Sequence, residues 1–154
     1  MQYNNKKGIS LIEVITVIAI IGILTVLVVP PLSDFKNRQL IRSTTEELSG
    51  FIQETRSKTL SSHDSLAYGV HFDEDQVVQF SGSTYVSGDS DNIVFPIVSN
   101  ITVSDISLAG GGDNIFFERL TGQTDEYGTI TLTLIVSGAQ KTISVSALGI
   151  VNSN

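Results

Sequence analysis

The chain has 154 residues, a formal net charge of −7 and no cysteine. That length suits one domain of ordinary size, and the missing thiols exclude disulfides, thiolate metal sites and cysteine chemistry. From His63 onward two basic residues, Arg119 and Lys141, stand against eleven acids, a balance that repels phosphate backbones and argues against nucleic-acid binding by this part.

The chain opens on a short basic leader that ends Lys6-Lys7-Gly8. The run Ile9 to Val29 follows, with 16 apolar residues in 21; the exceptions are Ser10, Glu13, Thr16, Gly22 and Thr25. As an α-helix rising about 1.5 Å per residue it spans roughly 32 Å, the thickness of a bilayer core. Its many β-branched residues are weak helix formers in water. In lipid the backbone must satisfy its own hydrogen bonds, so a transmembrane helix is expected rather than a buried core helix. Glu13 is the one charge in the run. A carboxylate there costs about 2.5–3.5 kcal/mol, which makes it functional by default. The plainer reading is a side chain that snorkels to the headgroups from four residues inside Ile9.

Pro30-Pro31 ends the run. Proline lacks an N–H and crowds the preceding turn, so a kink or break is expected there. Gly22 and Pro30 both weaken a helix, and the segment between them could unwind or hold a static kink; the residues leave both open. Lys6 and Lys7 precede the run, and Lys36, Arg38 and Arg42 follow it, so loop charge does not fix orientation.

The helical period then resumes. Leu32, Phe35, Ile41, Leu48, Phe51, Ile52 and Thr55 form a stripe. Lys36, Arg38, Arg42, Glu46, Glu47, Glu54, Arg56 and Lys58 fall mostly on the other face, and the pattern predicts an amphipathic helix to about Ser61. After Ser62 come seven or so short stretches rich in β-branched or aromatic residues: LAYGVHF, QVVQF, NIVFPIV, NITVSDISL, NIFFERL, GTITLTLIV and KTISVSALGIV. Turn-like segments separate them, so an antiparallel β domain is expected. Ile130, Leu132 and Leu134 share one face of a hairpin, and Val145 to Val151 closes the sheet.

Lys6-Lys7-Gly8 followed by Ile9-Ser10-Leu11-Ile12-Glu13-Val14-Ile15 resembles the N-terminus of a type IV prepilin. An ordinary secretory signal is cut after its apolar region; in this family a prepilin peptidase cuts before it, on the cytoplasmic side. The resemblance implies cleavage between Gly8 and Ile9 and N-methylation of Ile9. It also implies that Glu13, fifth after the cut, pairs with the amine of Ile9 in an adjacent subunit. Such pairing offsets the burial of both charges. Gly22 and Pro30 sit where pilin helices commonly carry a glycine and a proline. Ile9 departs from the usual phenylalanine or methionine.

The C-terminal part resembles the GspH/FimT family of minor pilins and pseudopilins, on Tyr68 to Gly82 and Asn114 to Val151. The matching parts are Ile115-Phe116-Phe117, Gly122, Thr129 to Leu134, and Ile143 to Gly149; Ile150 departs where an arginine often follows the glycine. The implied fold is α+β and type IV pilin-like, a long N-terminal helix packed on an antiparallel β-sheet domain. Its parts are a leader (1–8), a transmembrane or filament-core helix (9–31), an amphipathic helix (32–62) and the β domain (63–154). The implied role is a structural subunit of a type IV pilus or type II secretion pseudopilus. Its partners are other pilin or pseudopilin subunits, prepilin peptidase and the inner-membrane assembly machinery. The implied location is the inner membrane with a cytoplasmic N-terminus and an external β domain, then a filament. The alternatives are a tip module binding DNA or a surface, and an anchored β domain outside any filament.

No enzyme and no cofactor are expected. His63 and His71 lack companion ligands. Asp73 to Asp75 and Gly88 to Asn92 are oxygen-rich but lack a full calcium-ligand spacing. Ala109 to Asp113 lacks the Lys-Ser/Thr of a phosphate loop, and no serine sits in a nucleophile elbow.

Overall fold

The computed structural model describes residues 8–61 and 65–154, apart from the side chains of 27–31. One α-helix, α1, spans Leu11–Leu60 and has 50 residues. Of the kink or break expected at Pro30-Pro31 the break does not occur, and α1 runs through both prolines. A proline removes one backbone bond and bends a helix without having to end it.

The chain separates into two compact units, Met1–Lys36 and Asn37–Asn154. In the second unit α1 buries one stripe: Ile41, Thr44, Thr45, Leu48, Ile52, Thr55 and Thr59. Their steps of three, four and one follow the helical repeat. Leu32 and Phe35, which the pattern also placed on the stripe, are exposed; both precede the second unit. Four buried threonines on a packing face need partners for their hydroxyls. Thr45, Thr55 and Thr59 donate to the carbonyls of Ile41, Phe51 and Thr55, at 2.7, 2.9 and 3.2 Å. Thr59 Oγ1 also accepts from the Tyr68 N–H at 3.0 Å, which ties the helix to the first strand.

Eight strands follow among the described residues, all paired antiparallel. They are β1 Tyr68–Phe72, β2 Gln76–Ser81, β3 Ile93–Pro96, β4 Ile101–Leu108, β5 Asn114–Phe116, β6 Gly128–Leu134, β7 Gln140–Val145 and β8 Val151–Ser153. They form two four-stranded sheets rather than one, ordered β3-β2-β1-β5 and β4-β6-β7-β8. The turn between β1 and β2 bridges them, because the Val103 N–H donates to the Glu74 carbonyl at 3.0 Å.

The expected closing strand from Val145 to Val151 is instead a turn between β7 and β8. The Gly149 N–H donates to the Ser146 carbonyl at 2.8 Å, and Gly149 has φ +73°. A β-carbon there would run into the Gly122 carbonyl and the Arg56 guanidinium. Arg56 explains why. Its Nε donates to the Gly122 carbonyl and its Nη2 to the Leu148 carbonyl, each at 3.0 Å. The sequence pattern had put Arg56 on the solvent face; the structure half-buries it as a staple between α1 and two loops.

The core joins the helix stripe to both sheets. Ile41, Leu48 and Ile52 cluster with Val70, Phe72, Ile115 and Phe117 from the first sheet side and with Ile130, Leu132, Leu134 and Ile143 from the second. Ile130, Leu132 and Leu134 share the buried face, as period-two alternation requires. A further polar tie is Gln79, buried on β2. Its Oε1 accepts from Thr55 Oγ1 and from Lys58 Nζ, both at 3.2 Å.

Candidate functional site

The candidate site is the start of α1. Gly8, Ile9 and Ser10 are non-helical and α1 begins at Leu11. The Val14 N–H donates to the Ser10 carbonyl at 3.2 Å, so helical bonding starts there. Glu13 lies in the first turn, where the unsatisfied N–H groups favour a negative charge.

From Leu11 to Val26 the large apolar side chains are exposed on every side of the helix, from 45% at Val14 to 79% at Leu11. A helix apolar all round has no water-facing side and needs lipid or other helices about it. Its polar side chains divide sharply. Thr16 donates to the Ile12 carbonyl at 2.7 Å and Thr25 to the Ile21 carbonyl at 2.8 Å. Those hydroxyls satisfy themselves and need no water. Glu13 has no hydrogen-bond or ion-pair partner among the described residues. It lines a shallow concavity with Ile9, Val14, Val17 and Ile18.

The two glycines have no internal steric reason. A β-carbon at Gly8 or Gly22 would meet nothing within 4 Å. Among the described residues nothing in this chain's own packing requires a small residue at either place. Gly22 also gives up about 1 kcal/mol of helix stability relative to alanine. The side chain of Pro30 and the leader residues Lys6 and Lys7 lie outside the described residues.

The comparison that decides the character of this segment is a family-model match. Residues 3–29 match the prokaryotic N-terminal methylation motif. The N-terminus is type IV prepilin-like. The match takes in Gly8, Ile9, Glu13 and Gly22 and stops one residue short of Pro30. It supports a type IV pilin-like protein of the kind that prepilin peptidase processes and that assembles with other pilins. No curated protein and no solved structure matches the chain. Among the described residues no helix is long and apolar enough to cross a membrane; the apolar run of the sequence continues past Val26 into side chains outside that set.

Elsewhere the polar groups serve the fold. His71 stacks on Tyr85 with ring centroids 3.9 Å apart. Its Nδ1 lies 2.8 Å from Asn114 Oδ1 and its Nε2 3.4 Å from Asp73 Oδ1. His63 is outside the described residues. Asp73 and Asp89 act within their own turns, accepting from Gln76 Nε2 at 3.2 Å and from the Asp91 N–H at 3.0 Å. Among the described residues no group of three His, Asp or Glu side chains is placed to hold a metal ion.

Sequence reasoning missed Arg56. Its signal was indirect: Gly122 and Gly149, two glycines with positive φ, are the positions it pulls together.

Proposed function

We propose that the chain is a minor pilin or pseudopilin of the GspH/FimT kind, a structural subunit of a type IV pilus or a type II secretion pseudopilus. Prepilin peptidase cuts between Gly8 and Ile9, and the freed amine of Ile9 is methylated. Residues 9–31 are the membrane and filament-core helix, 32–62 the amphipathic helix and 63–154 the β domain. The N-terminus starts in the cytoplasm, and the β domain lies beyond the inner membrane.

The observation that carries this reading is Glu13, a carboxylate without a partner among the described residues on a helix apolar all round. The Ile9 amine of a neighbouring subunit supplies the missing cation, and the pairing fixes the axial register of adjacent helices. Removing either charge strands the other, which is costlier than losing both. Gly22 and Pro30 mark a stretch that can unwind as the helix leaves lipid for the filament.

The test is the N-terminal mass of the protein from its own cells, with and without the peptidase. A peptidase-dependent start at Ile9 carrying one extra methyl group is expected. An intact Met1 to Gly8 leader beside an active peptidase rejects the filament role and leaves an anchored β domain. Glu13→Ala is expected to stop incorporation into filaments while the β domain stays folded. Normal incorporation of that variant overturns the pairing.

A further inference from the structure

One end of the first sheet carries polar side chains that the core does not use. Gln79 on β2 faces α1, since its Oε1 accepts from Thr55 Oγ1 and Lys58 Nζ, both at 3.2 Å. Ser81 lies two residues on and shares that face. Ile93 stands opposite Gln79 in the β2–β3 register, and Tyr68 opposite Ser81 in the β1–β2 register, so all four project to one side. Together with Lys58, Leu66 and Asp91 they line a cavity of about 320 Å³. Small-molecule pockets run from about 300 to 1,000 Å³, so this one suits a small ligand. It lies wholly within the second unit.

Gln79 is 3% exposed, yet half of its amide is idle. Lysine can only donate, so the atom that Lys58 touches is the amide oxygen, and that fixes which way the amide points. Nε2 is left with two N–H groups and no acceptor among the described residues, on a side chain that lines the cavity. A buried donor without a partner costs about 1–3 kcal/mol. The bonds that Gln79 does make are not needed by their donors. Thr55 Oγ1 also reaches the Phe51 carbonyl at 2.9 Å, and Lys58 Nζ also reaches Glu54 at 3.1 Å. What the two contacts achieve is to hold the amide in one orientation with its donors presented to the cavity.

The lining selects the chemistry of an occupant. The charge of Lys58 is matched by Glu54 and Asp91 adds a negative one, so there is no positive excess to draw an anion. The N–H groups of Gln79 face an acceptor and not a cation. What remains is a neutral group that accepts from Gln79 and donates to Asp91. Among the described residues only Ser90 Oγ approaches the Asp91 carboxylate, at 3.4 Å from Oδ1. Adjacent hydroxyls of a sugar accept and donate side by side. A trans peptide group points its N–H and its carbonyl in opposite directions, and a cavity this small meets one of them at a time. The C–H face of a sugar ring also suits Leu66 and Ile93, which are 41% and 46% exposed.

We propose that this cavity binds one sugar unit of a neutral glycan. Gln79 Nε2 donates to one hydroxyl, the Asp91 carboxylate accepts from the next, and Leu66 and Ile93 cover the apolar face of the ring. The site belongs to the β domain and the end of α1, so it stands apart from any processing at Gly8.

The test is an NMR titration of the full-length chain in dodecylphosphocholine, a detergent without a sugar headgroup. Glucose, galactose, mannose and N-acetylglucosamine are the sugar probes; acetate and N-acetylalanine methylamide stand for an anion and a peptide. At least one sugar is expected to shift the Gln79 side-chain amide pair and the Ser81 and Ile93 N–H signals saturably. Gln79→Glu keeps an oxygen for Thr55 and Lys58 and loses only the two donors. It is expected to keep the fold and to weaken that sugar about tenfold. Asp91→Ala, on an exposed turn, is expected to weaken it similarly without touching a buried residue, and Asp105→Asn on the second sheet to leave it unchanged. No saturable shift with any of the sugars overturns the proposal and leaves water as the partner of Gln79 Nε2. Undiminished binding by both Gln79→Glu and Asp91→Ala overturns it too, because the sugar then sits elsewhere. A response to acetate or to the methylamide alone replaces the glycan with an anion or a peptide.

Discussion

The two halves of α1 are made of similar residues and put to opposite uses. From Leu11 to Val26 the helix is apolar on all sides and exposes nearly all of it. From Asn37 to Leu60 the apolar residues shrink to a stripe, and Ile41, Leu48 and Ile52 disappear into the core. Threonine shows the contrast best. In both halves it back-bonds to the carbonyl four residues earlier. In the first half that bond is all it makes. In the second Thr55 and Thr59 also bond Gln79 and Tyr68 on the first sheet. Hydrophobicity alone therefore does not say whether a helix is core. What says it is whether the chain supplies a surface for it.

The comparison breaks most visibly at Leu48. Leu48→Ala removes a fully buried side chain and is expected to cost about 2–5 kcal/mol, read as a lower melting point of the full chain in detergent. Ile18→Ala, in the first half, is expected to leave that melting point unchanged. Equal effects would mean that the first half is part of the folded core. A smaller loss is expected at the staple. Arg56→Met keeps the aliphatic stem but strips two charged donors from backbone carbonyls, and because the side chain is only half-buried, water replaces part of each bond, leaving about 1.5–3 kcal/mol for the pair. Hydrogen exchange would show the loss as faster exchange at Gly149 and Ile150, with the centres of β6 and β7 protected. Uniform acceleration would show the staple holding the whole domain rather than one turn.

Thr59→Val sharpens the threonine contrast. It removes the hydroxyl that accepts from the Tyr68 N–H, expected to cost about 1–3 kcal/mol. Thr16→Val is expected to change nothing in the same melt, because its hydroxyl serves only its own helix. The smallest effect belongs to Arg42→Ala. The Arg42 guanidinium is held above its ordinary pKa by the Glu46 hydrogen bond and charge. The pair is open to water, where such bridges add little. An unchanged melting point is expected, and a clear drop would give the pair a structural role.

Much of this was legible in the residues because it is local. A helix period, an alternating strand and a lone acid in an apolar run are each visible within a dozen positions. Residues 9–29 and the strand core at Ile130, Leu132 and Leu134 were of this kind. The division into two sheets was not, because strand order is decided by which edges meet after folding. The run KTISVSALGIV reads as one strand until Gly149 is given a positive φ, and that depends on Arg56 far upstream. Leu32 and Phe35 keep the stripe's period yet stay exposed, since periodicity shows a face and not what covers it. At the candidate site Gly8, Ile9 and Glu13 stood out by residue type alone. The structure added that, among the described residues, Glu13 is without a partner and nothing packs against Gly8 or Gly22 to require a small residue.

The Arg56 staple also sets a schedule. Its two bonds close over 66 and 92 residues of chain, so α1 is synthesised long before Leu148 exists to receive it. Until the last strands arrive, Leu48 and Ile52 have no complete cover and stay open to chaperones, proteases and one another. The order of the genetic text thus leaves a newborn chain sticky until β7 and the turn after it have been made.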